Sequence, residues 1–124
     1  MSHDSYASLT NALNAIGLTG QQQNPDMLVV SAQRGPVRPD RGNSFWLSLL
    51  SGTWYLSTWS AVCYRIPDGQ DVVAVVSACM GFGTSAMYRV PDEIAGRFGL
   101  ERLSDDEFKR LFPEREQRRK STRP

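Results

Sequence analysis

The stretch that most constrains this chain is residues 44–68, SFWLSLLSGTWYLSTWSAVCYRIPD, which holds all three tryptophans and the densest run of strand-forming residues. Aromatic and β-branched residues alternating with period two, bounded by turn residues, mark a strand. Residues 45–50 and 53–59 both fit, and Ser51-Gly52 between them suits a two-residue hairpin turn, because glycine supplies a positive φ at little cost.

With that turn the register follows. Leu50 faces Thr53, Leu49 faces Trp54, Leu47 faces Leu56 and Phe45 faces Thr58. Alternate residues share a face, so Phe45, Leu47, Leu49, Trp54 and Leu56 form a core face. The opposite face carries Trp46, Ser48, Leu50, Tyr55, Ser57 and Trp59, a mixture of hydroxyls and large aromatics. It reads in two ways. Aromatics with polar tips suit a binding platform; a helix laid across the face would make it a second core. Residues 61–66 read as a third strand. A two-residue turn at Ser60-Ala61 would turn Arg65 into the core, so a bulge or a longer connection is expected.

Residues 5–16 place Tyr6, Leu9, Leu13 and Ile16 at helical spacing, with Gly17 as the stop. This short helix is expected to dock, on its own domain or on a partner. Residues 19–26, TGQQQNPD, read as a linker, and residues 27–32 as a strand. Residues 33–43 hold two prolines, two glycines and three arginines, which is loop chemistry; Arg34, Arg38 and Arg41 could form a local basic patch.

The pentapeptide Tyr64-Arg65-Ile66-Pro67-Asp68 is echoed by Tyr88-Arg89-Val90-Pro91-Asp92. In each, a proline ends an extended run and the following Asp can open a helix. After Asp92 a short helix ends at Gly99. By analogy Asp68 opens a helix that continues through Val72 to Met80 and ends at Gly81. The alternative is a turn at 67–70 followed by a central strand at 71–78, which is rich enough in β-branched residues. Ser104-Asp105-Asp106-Glu107 is a capping box that starts a final helix with Phe108, Leu111 and Phe112 on its apolar stripe. Residues 114–124 are charged, without an apolar face, and are expected to be disordered.

These elements give an α+β fold: an antiparallel sheet of three to five strands with two or three short helices packed on one face. The expected organisation is an N-terminal helix and loop-rich segment at 1–43, a compact core at 44–113 and a basic tail at 114–124. At 124 residues the chain can bury a core without metals or disulfides. A net charge of +1 sets up no global field toward nucleic acid or membrane. No apolar run approaches bilayer length, the N-terminus lacks a secretory pattern, and Cys63 and Cys79 read as isolated reduced thiols. The expected location is the cytoplasm.

Catalytic chemistry finds little support. The one histidine, His3, sits near a terminus, so no positioned imidazole is available to a nucleophile, and the cysteines and histidine lie too far apart to promise a zinc site. Asp68 with Asp71 and Asp92 with Glu93 could act as acid and base, but all four fall at expected helix starts, where carboxylates are favoured for capping alone. Gly81-Phe82-Gly83-Thr84-Ser85 resembles a phosphate loop in composition only, since its glycines follow a helix instead of opening one. No cofactor or metal is expected.

The favoured function is therefore a non-catalytic interaction module that binds another protein, of the bacterial regulatory, immunity or adaptor type, through Trp46, Tyr55 and Trp59 with Arg34, Arg38 and Arg41. The alternative is an accessory nucleic-acid binder. It would use Arg115, Arg118, Arg119, Lys120 and Arg123 for weak, salt-dependent affinity and the aromatic face for base stacking. A small domain with an exposed sheet edge can also form a homodimer by pairing edges.

Overall fold

A computed structural model describes residues 5–24, 27–32, 44–58, 60 and 62–113. The fold is α+β. In chain order the elements are helix α1 (Tyr6–Ala15), strands β1 (Thr19–Asn24), β2 (Met27–Ser31), β3 (Ser44–Leu50), β4 (Thr53–Ser57) and β5 (Cys63–Arg65), helix α2 (Val72–Phe82), a 3₁₀ turn (Thr84–Met87), helix α3 (Asp92–Phe98), strand β6 (Glu101–Arg102) and helix α4 (Asp105–Leu111). The six strands lie in sequence order, each antiparallel to the next.

The β3–β4 hairpin organises the rest. Ser51 and Gly52 take φ of 50° and 79°, the pair of positive values that a type I′ turn requires. The pairs Leu50–Thr53, Leu49–Trp54 and Leu47–Leu56 form as the turn dictates. Phe45, Leu47, Trp54 and Leu56 thereby enter the main core, where they meet Leu28 and Val30 of β2, Tyr64 of β5, Leu9 and Leu13 of α1, Val75, Val76 and Cys79 of α2 and Ile94 of α3. The third strand joins by a longer connection. Thr58 donates its N–H to the Val62 carbonyl at 2.9 Å, and Ser57 faces Cys63. Arg65 consequently lies opposite Tyr55, away from the core face.

Several expectations need correction. Among the described residues the sheet has six strands instead of three to five, and there are four α-helices instead of two or three. The helices do not share one face. α1, α2 and α3 pack on the Phe45–Trp54 face, whereas α4 brings Phe108 and Phe112 to the opposite face, against Tyr55, Cys63 and Leu103. Residues 19–24, read as a linker, are β1; pairing along β2 supplies the order that Gln-rich composition does not. Leu9 and Leu13 of α1 and Leu28 and Val30 of β2 lie in the same core cluster as residues of the 44–113 segment. Ile16, placed on the buried stripe, is 49% exposed because α1 has already closed at its C-cap there.

The helix at 72–82 forms, and the strand alternative does not. Its cap differs from the expected one. Asp71, not Asp68, accepts the Val73 N–H at 2.9 Å. Asp68 instead lies in the 67–70 turn, where Gly69 has φ 88°. α2 runs past Gly81 to Phe82 and is followed by the 3₁₀ turn. α4 forms as read, and so does the α3 span, but the N-cap of α3 is Pro91 without a side-chain cap hydrogen bond, and Asp92 lies in the first turn instead of capping it. Gly99 closes α3 in the left-handed region, and Ser104 and Glu107 complete both halves of the capping box.

Candidate interaction surface

The face of the sheet opposite the main core is built from three rows that cross the strands in register. Thr19, Ser31 and Ser44 form one; Gln21, Val29, Trp46, Ser57 and Cys63 form the next; Ser48, Tyr55, Arg65 and Glu101 form the third. Strand alternation alone produces this arrangement, since each row collects residues one period removed from the core positions.

α4 closes one half. Its capping box aims the helix so that Phe108 and Phe112 come down on Tyr55, with the Tyr55 and Phe112 rings meeting edge to face at 5.7 Å. Arg65 binds the helix from the sheet side. Its guanidinium reaches Glu101 at 3.0 Å and Glu107 at 3.1 Å and lies over the Tyr55 ring at 5.8 Å. Hydrogen bonding to Tyr55 and then to Glu107 pushes Arg65 further up from its already high value, so it stays charged at any working pH. In return the Arg65 hydrogen bond, helped by the Ser104 amide, holds the Glu107 carboxyl below its ordinary value.

The other half has different chemistry. Val29, Ser31, Ser44, Ser48 and Ser57 are buried, while Trp46 is only partly buried among them. No ionisable side chain enters this half on β2, β3 or β4. The exposed part of the Trp46 ring can offer an apolar or aromatic contact.

Of the residues expected to bind, Trp46 sits on the face as a partly exposed aromatic. Tyr55 shares the face but is 6% exposed beneath α4, so it serves as the floor for Phe112 and not as a surface contact. Trp59, Arg34, Arg38 and Arg41 lie outside the described residues, as do Arg115, Arg118, Arg119, Lys120 and Arg123. Three of the four carboxylates considered as acid–base pairs have structural engagements. Asp71 caps α2, Asp92 faces Arg89 at 3.6 Å, and Glu93 faces Arg97 at 3.7 Å. Gly83, with φ 122°, is the C-cap of α2, and the four-residue turn after it offers no helix N-terminus to an anion.

Sequence reasoning missed the Arg65–Glu101–Glu107 cluster. Its only early signal was the need to keep Arg65 off the core face, which put it beside Tyr55 without naming its partners. Among the described residues no three His, Cys, Asp or Glu side chains group as metal ligands, and no helix is long and apolar enough to cross a membrane. Burial pushes the Cys79 thiol up to about 12, which leaves it protonated and unreactive while the fold is closed. Comparison with family models, with curated proteins and with solved structures gives no significant match.

Proposed function

We propose that this protein is a non-catalytic interaction module that binds another protein through the Trp46 half of the outer sheet face. The observation that carries this reading is the partial exposure of Trp46 on that face. α4 buries Tyr55, yet Trp46 remains partly exposed between buried Val29 and Ser57. A partly exposed aromatic on a sheet scaffold is the type of anchor that dominates protein interfaces. Trp59, two residues beyond β4, and the loop arginines at 34, 38 and 41 would extend the contact.

The test uses the full chain as bait in nuclease-treated native lysate. The expected result is a protein partner at near-stoichiometric yield, lost in the Trp46→Ala/Trp59→Ala variant whose circular dichroism and melting match the parent. Undiminished capture by that variant overturns the reading.

A second reading rests on the C-terminal composition, with five basic residues between 115 and 123. Such a segment neutralises phosphates and gives affinity that falls steeply with salt. Deleting residues 114–124 should then abolish retention on DNA or RNA at low salt while leaving the protein capture unchanged; unchanged retention removes this alternative.

A further inference from the structure

The β1 edge combines three features. First, β1 has one strand neighbour among the described residues, β2, and every second residue of such an edge turns its N–H and C=O outward. Second, its sequence, TGQQQN, has none of the charges or prolines with which proteins usually blunt an edge. A bulge between Gln22 and Asn24 bends its far end and leaves Thr19 to Gln22 as the regular run. Third, the absence of charge extends beyond the strand. Residues 5–24, which include all of α1, contain no Asp, Glu, Lys or Arg.

α1 lies directly over this strand. A Cβ built on Gly20 would meet Thr10 Oγ1 at 3.4 Å and Leu13 Cδ1 at 3.6 Å. The exposed positions of α1 are Ala7, Ser8, Asn11, Asn14 and Ala15, all small or neutral. Helix axes pack about 8–10 Å apart depending on the side chains at the contact, and small side chains allow the closer approach.

We propose that β1 pairs antiparallel with β1 of a second copy of this chain, forming a symmetric homodimer with one continuous sheet. Charge selects the occupant. A strongly charged partner strand finds no counter-charge on this rim, whereas two identical neutral rims meet without repulsion. In a pairing centred on Gln21, the two-fold axis runs perpendicular to the sheet, so each Gln21 lies opposite its symmetry mate on one face and Gln22 lies opposite Gly20 of the other copy on the other face. The two α1 helices lie over the same face of the joined sheet and flank that axis. This surface is distinct from Trp46, so the two proposals fail separately.

The experiment is sedimentation equilibrium of the nuclease-treated full chain over a range of concentrations, with the parent, Gln21→Lys/Gln22→Lys and Gln21→Thr/Gln22→Thr. Both glutamines are exposed, so the variants should keep the parent's circular dichroism and melting. The expected result is a monomer–dimer equilibrium in the parent, weakened at least about tenfold by the lysines, which place like charges opposite one another, and retained by the neutral threonines. A parent that is monomeric throughout, a dimer indifferent to the lysines, or a dimer lost with the threonines overturns the proposal. Amide exchange of the parent is a measurement free of variants: protection at residues 19–22 should rise with protein concentration, and concentration-independent exchange there overturns the proposal as well.

Discussion

Residues 5–24, which form α1 and β1, contain no charged side chain, whereas residues 101–111, which form β6 and α4, contain seven charged residues among eleven. The two segments sit at opposite edges of one sheet and attach their helices by different means. α1 is held by shape. Leu9 and Leu13 are fully buried in the main core, Tyr6 meets Trp54 edge to face at 5.3 Å, and the Tyr6 hydroxyl accepts the Leu49 N–H at 2.9 Å. α4 is held by two phenylalanines and an ionic clasp around Arg65. The strands differ in the same sense. β6 is two residues long, Glu101 and Arg102, and so is poorly suited to pairing with a stranger; β1 has six residues and no such defence. One helix is part of the core, and the other is fastened to its outside.

That contrast can be broken or sharpened by measurement. The largest effect is expected for Leu13→Ala, which opens a cavity in the core shared by every strand from β2 to β5 and should cost about 2–5 kcal/mol of global stability in urea unfolding. If α1 merely rests on the surface, the loss will be far smaller. Phe108→Ala should act locally. Amide exchange across 105–111 should accelerate strongly, while the amides of β2 and β3 change little, because Phe108 belongs to the smaller cluster. Equal acceleration everywhere would show that α4 and the main core open together. Ser104→Ala removes one half of the capping box and should cost about 1 kcal/mol, again read at α4.

The smallest effect concerns pH. The folded-state pKa of Glu107 is lowered by Arg65, so its contribution is present above the ordinary value of 4.5 and is lost as pH falls below it. Acid should therefore loosen α4 before α1, and Glu107→Gln should remove that pH dependence. An α4 whose exchange protection is as acid-resistant in the parent as in the variant would remove the clasp from the account.

Local chemistry made much of this architecture legible. Ser51-Gly52 and the alternation around it are sufficient to derive the register and both faces of the hairpin, and Ser104 with Glu107 defines the start of α4. What was hidden depends on distant pairing. TGQQQN has weak strand preference and becomes β1 through hydrogen bonding to β2. The echo of Pro67-Asp68 and Pro91-Asp92 misplaced the α2 cap, because Gly69 with its positive φ breaks the chain between Asp68 and the helix. The outer face was legible as a set of residues, but not its division. Only the docking of Phe112 shows that Tyr55 is covered while Trp46 stays partly open.

The two cysteines, neither in a disulfide, fall on either side of this division, Cys63 in the cluster beneath α4 and Cys79 in the main core. Each is therefore a built-in clock. Under a thiol-labelling reagent, modification of Cys63 times the lifting of α4, and modification of Cys79 times the opening of the whole molecule. With no added probe and no substitution, the ratio of the two labelling rates measures how independently the fastened helix and the core breathe.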